Sequence, residues 1–388
     1  MSTVNATPQI CSNSAVNITL NSPTSGAIIQ LTSVIYGGVT GTLVAGTTFT
    51  PGSKITETLI NPINSSVTVR YNLDVIANGC TTTGFFEEVI VNPNPTFIAS
   101  NFSTEICSGD QTNILFGSAT PGHQINAVSV NYGFVTGGTV NPGVTTFNSA
   151  TPLIETLFNS TNSAIDVVYE FNVTTPLTAP VCPLSPVSQF VTVRVNPNPT
   201  FVVTDNTGGG SGTICSGSQT NILLNTAVSG GQIRLKTVTY GAVTGTLTPG
   251  ILFTNGQSIA EVLLNSTGSP VVVSYEFEAI VGSCGPSASQ FVNITVNPNP
   301  NVVALPASQT ICSGAVTNIG LSTTNGVGGV TYSWTRVDAG VSGVLVGTGT
   351  TIAETLTATG SVAGTATYTI TPSAGGCNGT PINVIVTV

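Results

Sequence analysis

Apolar and polar residues alternate along several stretches of this chain. In the stretches 67–75 and 271–279 every odd-numbered residue is apolar, and most even-numbered residues are polar. A period of two places one set of side chains on a core face and the other set in water, which is the pattern of a half-buried β-strand. Clusters of Gly, Pro, Asn and Ser separate such strands at intervals of roughly 8–12 residues. The chain is therefore predicted to be all-β, without helices, and to form antiparallel β-sandwiches of about seven strands.

The same landmarks recur four times along the 388 residues. The tripeptide Ile-Cys-Ser has its cysteine at positions 11, 107, 215 and 312, which are 96, 108 and 97 residues apart. Each copy also contains a glutamate followed 14 residues later by a tyrosine: Glu57 and Tyr71, Glu155 and Tyr169, Glu261 and Tyr275, Glu354 and Tyr368. A repeat of about 100 residues is large enough to bury its own core. We therefore divide the chain into four tandem immunoglobulin-like modules: 1–93, 94–197, 198–298 and 299–388.

The sequence Val-Asn-Pro-Asn-Pro marks the module junctions, at 91–95, 195–199 and 296–300. Two prolines in four residues favour extended backbone and remove amide donors, so each junction is expected to end a strand and to act as a short, semi-rigid spacer. Sandwiches of about 40 Å joined end to end in this way would form an elongated rod of roughly 150–170 Å.

Each module holds two cysteines, an opening cysteine in Ile-Cys-Ser and a hairpin cysteine in a turn after the tyrosine strand. The pairs are Cys11 and Cys80, Cys107 and Cys182, Cys215 and Cys284, and Cys312 and Cys377. Their spacings of 69, 75, 69 and 65 residues do not fit a Cys-x-x-Cys metal or redox motif. An even count that repeats with the module predicts one structural disulfide within each module and an oxidising, extracellular setting. Eight buried reduced thiols are the alternative.

Composition narrows the choice of partners. Charged residues make up 5% of the chain, against roughly 25% in ordinary soluble proteins, and the net charge is −9 without a basic cluster. Nucleic acid is therefore not an expected partner. No stretch of 18 consecutive apolar residues is present, so membrane insertion is not expected, and the first residues do not resemble a signal peptide. We interpret the chain as a piece of a longer exported protein.

The recurring glutamates Glu57, Glu155, Glu261 and Glu354 stand out because other charges are so few. Calcium binding is one interpretation, but calcium needs six to eight oxygens and each module offers one recurring carboxylate. We favour a structural acceptor for backbone N–H groups, and expect no metal and no cofactor. The tyrosines that follow could stack on sugars, yet they lie on the apolar side of an alternating strand, so a core position is predicted.

The sequence does not predict a catalytic site. His123 is the only histidine, in Pro121-Gly122-His123, and is expected to lie exposed in a loop. No Gly-x-Ser-x-Gly elbow surrounds a serine, so a nucleophilic triad is not expected and no catalytic residues are predicted.

The only tryptophan, Trp334, falls where the third strand of a sandwich runs and is predicted to fill the core of module four.

The recurring motifs together resemble a known family. They are Ile-Cys-Ser-Gly, Thr-Asn-Ile, Val-Thr-Gly, Ile-x-Glu-Thr-Leu, Val-x-Tyr, Gly-Cys and Val-x-Val-Asn-Pro-x-Pro, with Tyr-Ser-Trp-Thr in module four. This pattern is similar to the PKD-like, immunoglobulin-like modules found in tandem in large surface proteins of Bacteroidota. The resemblance implies export by the type IX secretion system and a role as a cell-surface or gliding-motility adhesin. Modules one to three lack the tryptophan, and the family's C-terminal sorting domain is absent from this sequence.

These observations predict a non-enzymatic stalk of a secreted cell-surface adhesin, acting by extension and by many weak contacts. Its expected partners are neighbouring repeats of a longer parent protein and surface polysaccharide or abiotic surfaces. The alternative function is a glycan- or protein-binding module that uses the end loops of the sandwiches. A hydrolase embedded in the array is a third hypothesis, disfavoured because paired catalytic groups are missing.

Overall fold

The computed structural model describes residues 1–118, 120, 123–149, 151–174, 182 and 188–388. The chain divides into two compact units, Met1–Pro197 and Asn198–Val388, and each unit contains two of the repeats. All regular structure among the described residues is β-strand apart from one 3₁₀ turn at Thr207–Gly210. The prediction of an all-β chain is confirmed.

The strands of the first unit repeat one arrangement twice. Module one contains β1 (Ser2–Asn5), β2 (Gln9–Cys11), β3 (Ser14–Ala15), β4 (Ile18–Asn21), β5 (Ile28–Ile35), β6 (Thr48–Phe49), β7 (Lys54–Ile55), β8 (Thr58–Leu59), β9 (Val67–Ala77) and β10 (Cys80–Asn92). Module two contains β11 (Phe97–Asn101), β12 (Glu105–Cys107), β13 (Ile114–Ser118), β14 (Gln124–Asn131), β15 (Thr146–Phe147), β16 (Ile165–Thr174) and β17 (Gln189–Asn196).

The second unit continues the arrangement. Module three contains β18 (Val202–Asp205), β19 (Thr213–Cys215), β20 (Ile222–Asn225), β21 (Gln232–Thr239), β22 (Val243–Thr244), β23 (Leu252–Phe253), β24 (Gln257–Ile259), β25 (Leu264–Asn265), β26 (Val271–Ile280) and β27 (Gln290–Asn297). Module four contains β28 (Val303–Leu305), β29 (Ser308–Thr310), β30 (Ile319–Ser322), β31 (Thr331–Ala339), β32 (Val341–Ser342), β33 (Val346–Thr348), β34 (Thr351–Ile352), β35 (Thr357–Ala358), β36 (Thr365–Ala374), β37 (Cys377–Asn378) and β38 (Ile382–Thr387).

The larger sheet of each module has one topology. In module one the strand order is β2-β10-β9-β5-β6, and the equivalent orders in the others are β12-β17-β16-β14-β15, β19-β27-β26-β21-β23 and β29-β38-β36-β31-β33. The short opening strand pairs in parallel with the end of the last long strand, as Cys11 does beside Asn92. The other pairs are antiparallel. Each opening strand therefore lies at the module end where the chain leaves for the next junction.

Each sandwich closes over its own hydrophobic core, which the predicted alternation supplies. In module one, Val69, Tyr71 and Leu73 of β9 are fully buried and pack with Ile18 and Leu20 of β4 in the smaller sheet. The equivalent clusters fall within residues 97–195, 201–296 and 302–386. Burying an aliphatic side chain of this kind contributes roughly 1.5–3 kcal/mol.

Two details depart from the sequence interpretation. The alternation predicts that Glu278 of β26 faces water, but only 3% of the residue is exposed, and its carboxylate forms an ion pair with Arg234 of the neighbouring strand β21. The junctions are also more enclosed than spacers. The strands end at Asn92, Asn196 and Asn297 as expected, yet both prolines of the first junction, Pro93 and Pro95, are buried. Among the described residues, no helix is long and apolar enough to cross a bilayer.

Candidate functional site

A buried glutamate lies at the centre of module one and collects hydrogen bonds from three parts of the chain. Glu57 is 8% exposed. Its Oε2 accepts bonds from the hydroxyl of Tyr36 at 2.8 Å and from the backbone N–H groups of Thr42 and Leu43 at 2.6 and 3.0 Å. Its Oε1 accepts the hydroxyl of Tyr71 at 2.7 Å. The carboxylate thereby fixes the turn after β5 against the central strand β9.

Modules two and three repeat this arrangement. Glu155 accepts hydrogen bonds from the hydroxyls of Tyr132 and Tyr169 at 2.8 and 2.6 Å, and from the N–H of Val140 at 2.8 Å. In module three the acceptor is Glu261. It accepts bonds from the hydroxyls of Tyr240 and Tyr275 and from the N–H groups of Thr246 and Leu247.

A glycine makes room for each of these centres. A Cβ on Gly41 would lie 2.1 Å from Cε1 of Tyr36 and 2.7 Å from Oε2 of Glu57. The same obstruction exists at Gly138 against Tyr132, and at Gly245 against Tyr240 and Glu261. Contacts this short are not tolerated by real side chains, so a glycine is required here because of close approach.

Module four keeps the glutamate but replaces most of its donors. Glu354 accepts bonds from Nε1 of Trp334 at 2.9 Å, from a guanidinium nitrogen of Arg336 at 3.0 Å and from the hydroxyl of Tyr368 at 2.8 Å. The Arg336 side chain is fully buried and also forms two hydrogen bonds to Asp338, at 2.7 and 2.8 Å. A buried charge needs such compensation because its desolvation is costly.

Burial and the shared carboxylate shift the pKa values of these groups. Burial first, and then the hydrogen bond and charge of Glu261, raise the pKa of Tyr275 above its ordinary range. Burial also opposes ionisation of Glu261, but the bonds from Tyr240, Tyr275, Thr246 and Leu247 outweigh it and lower its pKa. In module four, burial together with Glu354 raises the pKa of Tyr368 to about 12 although Arg336 acts in the opposite direction. The centre of module three is therefore held as an ionised glutamate with neutral tyrosines.

These contacts decide several sequence predictions. The glutamates of modules one to three accept backbone N–H groups as predicted, whereas for Glu354 this role is wrong and side chains are its donors. The four recurring tyrosines are fully buried, which confirms the core prediction, and Trp334 belongs to the core of module four. The sequence interpretation missed Tyr36, Tyr132 and Tyr240. The motif Tyr-Gly-x-Val-Thr-Gly, at 36–41, 132–137 and 240–245, was the available signal.

The disulfide pairing differs from the prediction. Cys11 of module one is bonded to Cys182 of module two, with 5.1 Å between their Cα atoms. Within the second unit, Cys215 of module three is bonded to Cys377 of module four, with Cα atoms 5.5 Å apart. Cys107 and Cys284 are also disulfide-bonded.

All eight cysteines are among the described residues, and two of them, Cys80 and Cys312, are free and exposed. The predicted pairs Cys11–Cys80, Cys107–Cys182, Cys215–Cys284 and Cys312–Cys377 are therefore wrong, and Cys80 and Cys312 are not structural disulfide residues within this chain.

The topology explains why a module cannot bridge its own cysteines. Cys11 lies beside Asn92, where β10 ends, whereas Cys80 lies opposite Ala77, where β10 begins. The intervening strand β9 has 11 residues and is about 33 Å long, but a disulfide needs Cα atoms within roughly 7 Å. Within each unit, the opening cysteine of one module and the hairpin cysteine of the next instead meet at the junction.

The junction between modules three and four shows how closely the sandwiches approach. Nδ2 of Asn297, which pairs with Cys215 in the sheet, donates a hydrogen bond to the carbonyl oxygen of Gly375 at 3.1 Å, and Gly375 belongs to the hairpin before Cys377. A Cβ on Gly379 would lie 1.6 Å from the carbonyl oxygen of Pro300. The proline linker is thus packed against the following module.

The remaining candidate residues form no second centre. His123 is half-buried rather than exposed, and its Nδ1 lies 2.9 Å from the carbonyl oxygen of Thr120; Pro121 and Gly122 lie outside the described residues. Within the described part of the chain, no three His, Cys, Asp or Glu side chains converge as metal ligands would.

One known domain family matches this chain at two separate segments. The PKD-like domain family matches residues 8–95 and 309–388, which belong to modules one and four. No curated protein matches the sequence.

Similar solved structures include one extracellular domain and two ectodomains. A protocadherin GammaB4 extracellular domain is 11% identical, with a TM-score of 0.27 over 100% of this chain and 66% of that chain. The human desmocollin-1 ectodomain is 9% identical, with a TM-score of 0.29 over 99% of this chain and 80% of that chain. A D1–D4 ectodomain fragment of ICAM-5 is 9% identical, with a TM-score of 0.37 over 100% of this chain and 98% of that chain. This chain spans about two thirds of the protocadherin extracellular domain.

Proposed function

We propose that the chain is a non-enzymatic stalk segment of a secreted bacterial cell-surface adhesin, an array that transmits tension and extends binding surfaces from the cell. The finer assignment, to a type IX secreted adhesin of Bacteroidota with a part in gliding motility, rests on the motif resemblance and on the PKD-like match of modules one and four. An extracellular location is supported by the disulfides, which form and persist in oxidising environments.

The covalent links between consecutive modules are the observation that carries this proposal. A disulfide within a module would stabilise that module alone. Cys11–Cys182 and Cys215–Cys377 instead join cysteines that are 171 and 162 positions apart, so tension applied to the chain ends bypasses nearly the whole of both sandwich pairs. In the chain-entropy model each loop of this size also stabilises the folded state by about 5 kcal/mol.

Force spectroscopy on the whole chain, held at its two ends, tests the mechanical role. With bridges intact, the residues between each cysteine pair cannot lengthen the molecule even if they unfold. Reduction should therefore release extra contour lengths of up to about 600 Å and 570 Å from the two pairs, at roughly 3.5 Å per residue. A chain that extends equally far before and after reduction would contradict the proposal.

A repeated exposed aromatic favours surface binding as a second candidate function. Phe86, Phe190 and Phe291 occupy equivalent positions on the last long strand and are 49%, 64% and 63% exposed. Polar partners flank them, such as Glu276, which pairs with Phe291 across the sheet and with Lys236 in an ion pair. Aromatic rings beside polar groups suit contact with sugar rings. Module four has Asn383 at this position.

Beads that carry the chain at high density would test this candidate. Linked weak sites raise avidity by about 10²–10⁴ without a new contact, so dense display should retain polysaccharide that single molecules release. Replacing all three phenylalanines by serine should abolish the gain. Leu305→Ser, at an apolar residue of module four that is 78% exposed, is the matched control and should retain it. Equal retention by the triple variant would leave the stalk as the supported function.

A further inference from the structure

The two free cysteines differ from the bonded ones in what surrounds them. Cys80 and Cys312 are exposed. In contrast, the bonded hairpin cysteines Cys182 and Cys377 are each 1% exposed, and each is bonded to a cysteine of the preceding module. The two free thiols are thus accessible to solvent, whereas the two bonded hairpin cysteines are enclosed.

The hairpin around Cys80 has the same geometry as the hairpin around a bonded cysteine. Cys80 pairs with Ala77 across a two-residue turn, and Cys377 pairs with Ala374 in the same way. The turn residues have positive φ in both: 51° at Asn78 and 77° at Gly79, and 57° and 81° at the corresponding glycines. Two residues with positive φ form the tight turn that suits a β-hairpin. Cys80 is therefore held in the conformation from which Cys377 forms its bridge.

The loop around Cys312 likewise matches that of a bonded opening cysteine. The carbonyl oxygen of Cys215 accepts a hydrogen bond from Ser218 N–H at 3.0 Å, and that of Cys312 accepts one from Ala315 N–H at 3.0 Å. In both loops the glycine two residues after the cysteine donates its N–H to a leucine carbonyl oxygen at 2.8 Å. The backbone that presents the Cys215 thiol to module four is thus already formed at Cys312.

We propose that Cys80 and Cys312 each form a disulfide with a further module of the same kind. Cys80 would bond the opening cysteine of a preceding module, and Cys312 the hairpin cysteine of a following module. A small-molecule disulfide such as oxidised glutathione accepts the two electrons: the two protein thiols lose two protons and form one S–S bond, and the oxidant leaves as two thiols. This inference rests on the proposed stalk only for the source of the neighbouring module.

A fifth module added to the whole chain tests the direction of pairing. Val388 occupies the position in module four that Val91 occupies in module one. Each lies four residues after the residue that pairs with the recurring tyrosine, Tyr368 or Tyr71. A second copy of residues 92–197 joined directly to Val388 therefore recreates the first junction. The fusion contains four unassigned thiols: Cys80, Cys312, and the copies of Cys107 and Cys182. After oxidation with glutathione disulfide, peptide mapping should find Cys312 bonded to the copied Cys182.

Alkylation provides the quantitative measurement. Tethering raises the effective thiol concentration to the millimolar range, so labelling of Cys312 should fall at least about tenfold relative to the unfused chain. Cys80 and the copied Cys107 should stay reactive. In a control fusion whose copied Cys182 is serine, Cys312 should regain full labelling. A reactive Cys312 in the complete fusion, or its bonding to Cys80 or to the copied Cys107, would overturn the proposal. Because this readout is covalent pairing rather than extension under force, its failure is distinguishable from failure of the stalk function.

Discussion

Modules one to three and module four hold the same buried glutamate with different donors, and the difference begins in one strand. In modules one to three the strand that pairs with the tyrosine strand has a register shift, between Leu31 and Ser33 in module one. The corresponding strand of module four pairs through nine residues without a shift. A bulge redirects the side chains that follow it. With the bulge, a tyrosine just after the strand reaches the glutamate; without it, Trp334 and Arg336 of the strand itself do so.

The comparison shows that the fold requires an acceptor at this position but does not specify its donors. In modules one to three the carboxylate fixes a turn through backbone N–H groups, so its loss should release that turn. In module four it forms a charged network with Arg336, which Asp338 also neutralises. The same glutamate is therefore expected to make unequal contributions to stability.

The largest expected effect follows from removing the glutamate. Glu261→Ala leaves the N–H of Thr246 and the hydroxyl of Tyr275 without their acceptor, which should lower the free energy of unfolding of module three by about 4 kcal/mol. Glu354→Ala should cost module four less, because Arg336 keeps Asp338. Hydrogen exchange measured on peptides from each module gives the two values separately, and a larger loss in module four would reverse the comparison.

The glycines beside the two kinds of centre offer a second, smaller contrast. Gly245→Ala would place a Cβ 2.0 Å from the rigid ring of Tyr240, and such overpacking should cost about 2–3 kcal/mol. Gly343→Ala would place a Cβ 2.7 Å from the guanidinium end of Arg336, which can shift, so a loss of about 1 kcal/mol is expected. Denaturant unfolding of the two variants measures both changes. Equal losses would show that Arg336 is held as rigidly as the tyrosine ring.

Alkaline pH should produce the smallest difference in the free energy of unfolding between modules three and four. Folding raises the tyrosine pKa values. The stability that each neutral tyrosine contributes is therefore complete below about pH 10, the pKa of tyrosine in the unfolded chain, and is lost as the pH rises above that value. Each tyrosine contributes a slope of about 1.4 kcal/mol per pH unit. For Tyr368 the loss should level off at about pH 12, where the folded group also ionises, whereas for Tyr275 it should continue. The free energy of unfolding of Tyr275→Phe and of Tyr368→Phe can be measured in urea between pH 9 and 12. In both variants it should fall less steeply with pH than in the parent chain. An unchanged slope would contradict the raised pKa values.

Local sequence patterns were sufficient to predict much of this molecule. The period-two alternation predicted that Tyr71 and its three equivalents face the core, because side-chain direction in a strand depends only on parity along the chain. The recurrence of Glu57 and its equivalents in a chain with few charges predicted a structural acceptor for backbone N–H groups. Tyr36 was accessible in principle through the repeated Tyr-Gly-x-Val-Thr-Gly motif, but its approach to Glu57 depends on the bulge, and nothing in the alternation marks a bulge in advance.

The sequence by itself determined the repeat, the all-β architecture and the buried faces, since these follow from residue spacing and from the separation of apolar and polar side chains. Only the tertiary structure decided which cysteines meet. That outcome depends on the parallel pairing of β2 with the end of β10, which carries Cys11 to the module end opposite Cys80 and beside the next sandwich. Cysteine counting cannot distinguish bridges within modules from bridges between them, because both satisfy the same even count; the distance across a folded sheet distinguishes them.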